Sequence, residues 1–374
     1  MSDEDLPSSD QIDGAPHPRE TTALIGQQVA EEAFLEAFTG DRLHHAWMIT
    51  GPRGVGKATL AWKLAKFLLA NPPVDPNDMF GAPPAPTSLE IDQSHPIATR
   101  MAAGSEPGLF VLKRPYDADK KKFKQQITVD EVRKLKGFFS LSATEGGRRI
   151  VIVDAADDMN VSAANALLKV LEEPPADALL FLISHQPSRL LPTIRSRCRE
   201  LRCVTMNAQD MAAALTATGA DVGGHGPALA ELSGGSVGES LRMLNLGGLE
   251  VYADLVALAA TFPKLDRTMM VALGEKAAAR GQEARYELML RLTDVLLSRL
   301  ARAGLGLAQT EAAAGELAML ARLSPDANAS RAWAAVSANI SSRAQHGRAV
   351  NLDPSALVID MVLAMNEVAA KTAA

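Results

Sequence analysis

Short runs of consecutive apolar residues alternate with longer stretches of helical periodicity through the first two hundred positions of this chain. Ala46-Trp47-Met48-Ile49-Thr50, Ile150-Val151-Ile152-Val153 and the run from Ala178 to Ser184 lack polar alternation and are too short for buried helices. That pattern predicts strands covered on both faces. Leu109 to Leu112 is a further strand candidate. Between them, apolar residues at three- and four-residue spacing predict helices from Gln27 to Thr39 (Val29, Phe34, Phe38) and from Thr59 to Ala70 (Leu60, Leu64, Phe67, Leu68). Others run from Pro96 to Ala103, from Val129 to Phe139 with Asp130 and Glu131 in the first turn, and from Ser162 to Glu173 with Leu167, Val170 and Leu171 on one face. Pro174-Pro175 ends the last of these, since neither proline can donate to the helix ladder. Repeated strand–helix alternation with apolar strands predicts an α/β domain built on a parallel sheet.

From Asn207 onward only helical patterns remain, with breaks at Gly219 to Gly226, Leu246 to Gly248 and Ala344 to Pro354. The last helix, Ser355 to Ala370, carries Leu357, Val358, Met361, Val362 and Met365. The expected organisation is a disordered polar lead over 1–20, an α/β domain over 21–204, a small helical domain over 205–262 and a helical bundle over 263–374. A length of 374 residues accommodates this number of domains.

Composition changes the picture in three ways. The net charge of −6 means that any nucleic-acid contact must come from a local patch or a helix N-terminus. Lys120, Lys121, Lys122 and Lys124 form one such patch, although a lysine run is more often a solvated loop. The only two cysteines, Cys198 and Cys203, suit a reducing cytoplasm, and with no further ligands at metal spacing no zinc is expected. The first twenty residues are acidic and proline-containing rather than basic then apolar, and no run of about 18 apolar residues occurs, so neither a signal peptide nor a membrane span is expected.

The candidate chemistry begins at Gly51-Pro52-Arg53-Gly54-Val55-Gly56-Lys57, which follows a strand and opens a helix. Gly51, Gly54 and Gly56 let backbone N–H groups converge on phosphates, and Lys57 supplies charge. The next residue should carry a magnesium-binding hydroxyl, but it is Ala58. Thr59 lies about 100° further around the helix. The loop therefore either binds nucleotide while handling magnesium poorly or is kept for its turn geometry. Asp154 ends a buried strand where a magnesium-holding aspartate would sit. Its follower, Ala155, cannot orient a water, and general-base assistance is worth roughly 10²–10⁴ in rate. Arg195-Ser196-Arg197-Cys198-Arg199 follows the third buried strand, and an arginine there could act on phosphoryl charge or merely form a basic face.

Leu43-His44-His45-Ala46-Trp47, the run Asn165-Ala166-Leu167-Leu168-Lys169-Val170-Leu171-Glu172-Glu173-Pro174-Pro175, and Ser196-Arg197-Cys198 resemble the bacterial clamp-loader subunits of the AAA+ family. The resemblance covers Thr21 to about Val204. Two classes share these motifs: gamma/tau subunits, with an intact phosphate loop and an Asp-Glu pair, and delta-prime subunits, with degenerate ones. Ala58 and Ala155 align the chain with the second class, and an ATP-hydrolysing gamma/tau-type subunit is the alternative. The resemblance implies an arginine finger at Arg197, acting on a neighbour's ATP, and a sensor position near Ser184 or His185. It also places Gly238 where the active subunits carry a lid arginine, with Arg242 one turn later. It further implies a helical lid, a C-terminal collar joining the chain to gamma/tau and delta subunits, and a sliding clamp and primed DNA as targets of the assembly. ATP or ADP held without hydrolysis is the cofactor expectation, with little or no ATPase in the chain itself.

Overall fold

The computed structural model describes residues 7–12, 15–21, 23–40, 42–73, 84–140, 147–279, 281–307, 309–350 and 352–372. It divides into two compact units, Met1–Ala220 with Gly235–Gly238, and Asp221–Gly234 with Glu239–Ala374.

The first unit is the expected parallel sheet. Its strands are β1 (Ala46–Thr50), β2 (Leu109–Lys113), β5 (Arg149–Asp154), β6 (Ala178–Ser184) and β7 (Arg199–Arg202), in the order β2-β5-β6-β1-β7. A two-stranded hairpin, β3 (Tyr116–Asp117) and β4 (Lys122–Phe123), stands apart from the sheet. The period-two alternation of the strands sorts the apolar residues onto two faces. Trp47, Ile49, Ile150, Ile152, Phe181 and Ile183 pack with α1 (Gln28–Thr39) and α2 (Lys57–Ala70). Met48, Val151, Val153, Leu180 and Leu182 pack with α4 (Val129–Ser140) and α5 (Val161–Glu172). α3 (Pro96–Ala102) joins the first of these layers through Met101.

The register sets the site. Thr50 lies opposite Ser184, and Lys113 opposite Asp154, so the carboxyl ends of four strands finish in one row. That row, beside a central strand where the order reverses, is where open parallel sheets place their ligands.

Four sequence expectations need correction. Val29 is 80% exposed, and α1 instead packs through Ala30, Phe34 and Ala37. β7 escaped the pattern because Arg-Glu-Leu-Arg buries only Leu201 against the sheet edge. The break expected from Ala344 is a continuation of α14 (Ala327–Ala349). A Cβ on Gly347 would lie 2.6 Å from Leu357, so this glycine permits close approach to α15 (Pro354–Thr372) rather than ending a helix. The polar lead, finally, is packed where it is described. The His17 ring meets Trp62 edge-on at 5.4 Å, and the Asp10 carboxylate is fully buried.

α7 (Ala208–Ala217) closes the main part of the first unit. The second unit is helical: α8 (Gly226–Ser233), most of α9 (Val237–Asn245), α10 (Gly248–Ala260), α11 (Arg267–Ala277), α12 (Glu283–Ala303), α13 (Glu316–Leu323), α14 and α15. The residues expected on either side of position 262 thus cluster together, because α10 packs on both α12 and α13. Trp333, fully buried, donates from its indole nitrogen to the Leu323 carbonyl at 2.9 Å. Arg299 is buried too. It donates to Glu316 at 2.6 Å, to the Thr310 carbonyl at 2.6 Å and to Glu231, while the Tyr252 hydroxyl donates to Glu316. One guanidinium thereby ties α8, α12 and α13 with all its charge neutralised. Removing one partner of such a group strands buried charge, which costs about 3–5 kcal/mol. Arg299→Met is expected to lower the unfolding free energy of the chain by about that much in urea titration. Arg299→Met combined with Glu316→Met is expected to lose less than Arg299→Met alone.

Candidate nucleotide-type site and arginine edge

The phosphate loop spans β1 and α2. Gly51, Gly54 and Gly56 all have positive φ, at +139°, +71° and +99°. Gly51 is obligatory here, because a Cβ would lie 2.4 Å from the Cys203 carbonyl oxygen next to the sheet edge. Lys57 is 3% exposed. Its ammonium donates to the Gly51 carbonyl at 2.8 Å and to the Pro52 carbonyl. Burial pulls its pKa down to about 8, against the supporting charges of Asp154 and Asp157. The lysine that would meet a phosphate is therefore spent on the carbonyls of its own loop.

The magnesium side of the site is equally altered. Ala58, in the first turn of α2, packs against the core and offers no hydroxyl. Thr59 lines a groove with Trp62, Lys63, Lys66 and Glu90 and does not replace it. Asp154 ends β5 with its carboxyl pushed up to about 7, first by burial and then by the charge of Asp10. Ala155 is 4% exposed and contributes no polar atom beyond its backbone. Asp157 accepts from the Ser184 hydroxyl at 2.9 Å, the His185 amide at 2.6 Å and the Gln186 amide at 3.2 Å. It is thus a cap for the turn after β6. Asp158 pairs with Arg114 at 3.0 Å. Asp157 and Asp158, the acids that follow Ala155 in sequence, are thus both engaged elsewhere. At the strand end where the family resemblance expects a sensor, Ser184 is fully buried under Asp157, and burial pulls the His185 pKa down to about 4, the charges of Lys57 and Arg53 acting in the same sense.

Two further segments complete the site, the first of them unmarked by any motif. Lys113, in register with Asp154, donates to Asp10 at 2.7 Å, and His17 lies 3.3 Å from the other oxygen of the same carboxylate. No local pattern marks Asp10, since the lysine that pairs with it lies 103 residues away in sequence. The other segment is Gly235–Gly238. Ser236 donates its hydroxyl to the Arg53 carbonyl at 2.8 Å, and the Gly238 amide donates to the Gly54 carbonyl at 2.9 Å. A Cβ on Gly238 would lie 2.8 Å from the Gly54 Cα. The residue that aligns with a lid arginine therefore lies against the phosphate loop with no room for a side chain. Arg242 is engaged elsewhere, pairing with Glu287 at 3.4 Å.

The arginine run bridges α6 (Pro192–Arg195) and the edge strand β7. Arg197 is partly exposed. Its guanidinium meets Glu172 at 2.8 Å and donates to the Thr193 carbonyl at 3.0 Å. Glu172 belongs to the Leu-Glu-Glu-Pro-Pro run, so two motifs distant in sequence meet here. The three arginines are not equivalent: Arg195 is exposed with no side-chain partner, while Arg199 lies over the Trp47 ring at 5.1 Å. Cys198 and Cys203 are held as thiols, burial pushing each to about 12.

A parallel α/β domain whose phosphate loop is followed by Ala58 and whose strand-end Asp154 is followed by Ala155 is the class these features define. The resemblance to bacterial clamp-loader subunits holds over the same part of the chain. Residues 26–207 match the family described as DNA polymerase III, delta subunit. The DNA polymerase III subunit delta' of Pseudomonas aeruginosa is 45% identical over 159 residues, 42% of this chain and 43% of that protein. That of Escherichia coli is 33% identical over 174 residues, 45% of each chain. The DNA polymerase III subunit gamma/tau of Mycobacterium tuberculosis is 29% identical over 187 residues, 48% of this chain and 28% of that protein. The matched stretch thus spans less than half of each relative's length.

The close approach at Gly238 yields a test. Gly238→Arg is expected to destabilise the chain by about 1–3 kcal/mol, the usual cost of forcing atoms into filled space. Thermal unfolding would read this as a lowered Tm, whereas Gly137→Ala, inside α4 with open space around it, should not lower Tm and should raise it slightly.

Proposed function

We propose that this chain is a delta-prime-type subunit of a bacterial DNA polymerase III clamp loader: a stator whose nucleotide-type site does not hydrolyse ATP and whose Arg197 serves the ATP site of an adjacent subunit. The observation that carries the reading is the closure of the phosphate loop by the chain's own atoms. Lys57 is bonded to the Gly51 and Pro52 carbonyls, and Gly238 lies on Gly54. These residues do not fit a magnesium nucleotide. ATP or ADP binding here would have to break those contacts and would still lack a group to orient water. The gamma/tau-type alternative requires a hydroxyl at position 58 and a carboxylate at position 155, and Ala58 and Ala155 supply neither.

Arg197 suits a group offered outward. An exposed ion pair such as Arg197–Glu172 contributes only about 0–1 kcal/mol, so it can be exchanged for phosphate oxygens at little cost. Glu172 holds the guanidinium in place until then. The planar fork can grip two oxygens at once, as an ammonium cannot. The partners in this reading are gamma/tau and delta subunits, met through the helical C-terminal unit and the Arg197 edge, with the sliding clamp and primed DNA as targets of the whole assembly. Leu305, Leu307 and Leu363, exposed by 60%, 54% and 45%, support a partner-facing surface on that helical unit.

Two outcomes test the proposal. The purified chain is expected to show negligible magnesium-dependent ATP turnover; robust turnover abolished by Lys57→Ala would overturn the stator assignment. In a reconstituted loader, Arg197→Ala is expected to leave assembly intact while slowing DNA-stimulated ATP hydrolysis. Fingers supplied in trans are worth about 10³–10⁵ at a single site, but this one would serve one site of several, so the loss in total turnover should be smaller. Arg197→Lys should rescue poorly. Arg195→Ala is the suitable control, because Arg199 also packs on Trp47; an equal defect from Arg195→Ala would reduce the run to a basic face.

A further inference from the structure

The lysine run that the nucleotide-type site leaves unused sits on an ordered hairpin. Tyr116 of β3 and Phe123 of β4 pack edge to face at 5.3 Å, and the Arg114 guanidinium lies 5.9 Å over the Phe123 ring. Arg114 is itself anchored to Asp158 beside the sheet, and the Lys124 amide donates to the Pro115 carbonyl at 2.9 Å. The hairpin is therefore pinned at its base by an aromatic clamp on one side. Its other side and its tip carry Lys120, Lys121, Lys122 and Lys124, all exposed. Asp117 lies 3.9 Å from Lys120 and opposite Lys122 in the hairpin register, and among the described residues Lys121, Lys122 and Lys124 make no ion pair.

Two details separate this patch from an incidental charged loop. Lys122 and Lys124 are two residues apart on an extended segment, so they share a face about 6–7 Å apart. That spacing is within reach of neighbouring backbone phosphates for side chains as long as lysine. Lys121 occupies the turn with φ +49°, a conformation that glycine or asparagine adopts far more readily. A charged side chain thus stands at the tip where a turn alone would favour a small residue. Four lysines against Asp117 and Asp119 leave the hairpin with a net charge of +2 in a chain whose net charge is −6.

We infer that the Lys120–Lys124 hairpin is a contact surface for the phosphate backbone of DNA, separate from the nucleotide-type site and from the Arg197 edge. Recognition is by charge, with no base reading: Lys121, Lys122 and Lys124, outside ion-pair distance of any carboxylate among the described residues, can neutralise adjacent phosphates and release their counterions. The inference rests on the clamp-loader reading only for the DNA the chain would meet. The two fail separately, since loader membership is scored by co-purification with the other subunits and the hairpin by DNA affinity.

The test uses the full chain, a fluorescent primer–template duplex and anisotropy titrations from about 50 to 200 mM salt, the range over which phosphate contacts are lost. The combined variant Lys121→Ala, Lys122→Ala, Lys124→Ala is expected to weaken binding about tenfold or more at the low-salt end and to make the log-affinity against log-salt slope shallower by about 2–3. The matching Lys→Arg triple variant should retain both affinity and slope, and both variants should melt at the wild-type temperature because the changed side chains are exposed. An unchanged affinity and slope in the alanine variant, or no DNA binding by the wild-type chain at about 50 mM salt, would overturn the inference. So would competition by polyglutamate as effective as that by unlabelled DNA, which would assign the hairpin to an acidic protein instead.

Discussion

The carboxyl ends of four parallel strands must finish in one row, because the sheet is buried on both faces and its register is fixed by that burial. Slipping a strand by one residue would carry Ile150 and Ile152 to the face that Val151 and Val153 now occupy. With the register held, Thr50, Asp154, Ser184 and Lys113 are brought together at one end of the sheet. Every other property of the site follows from what side chains stand at and beyond those strand ends.

Those side chains satisfy one another. Lys57 bonds its own loop, Asp157 caps the turn after β6, and Asp10 and Lys113 pair beside Asp154. In a hydrolysing site the same positions would wait for phosphate, magnesium and water. Buried charge left waiting is costly, and the internal pairing removes that cost. The alanines at 58 and 155 and the internal pairing are two sides of one arrangement, with Gly238 packed directly on Gly54.

The arginine edge has the opposite character. Arg197 is held by weak, partly exposed contacts that can be exchanged without unfolding anything around them. Its neighbour Glu172 ends the helix that packs beneath the sheet, so the Glu-Glu-Pro-Pro run does more than stop a helix: it also positions the guanidinium. A closed site and an exchangeable arginine on one domain are what a subunit needs if it is to act on a neighbour's nucleotide rather than its own.

The sheet, its flanking helices, the phosphate loop and the losses at Ala58 and Ala155 were legible in the sequence, because apolar periodicity and motif spacing are local properties that need no knowledge of the rest of the fold. The edge strand β7 was not, since an edge buries one residue in four and its charges hide the strand pattern. The continuation of α14 past Ala344 was not, because a glycine that admits a neighbouring helix looks the same in sequence as one that ends a helix. The roles of Asp10, Asp157, Glu172 and Gly238 were decided only by the tertiary structure. Each depends on a partner brought within a few ångströms by the sheet register or by packing. Lys113 lies 103 residues from Asp10, and Gly54 lies on the far side of the whole α/β domain in sequence from Gly238. Chain order carries no record of such distances, and burial alone turns these residues from ordinary polar or small side chains into the parts that close the site.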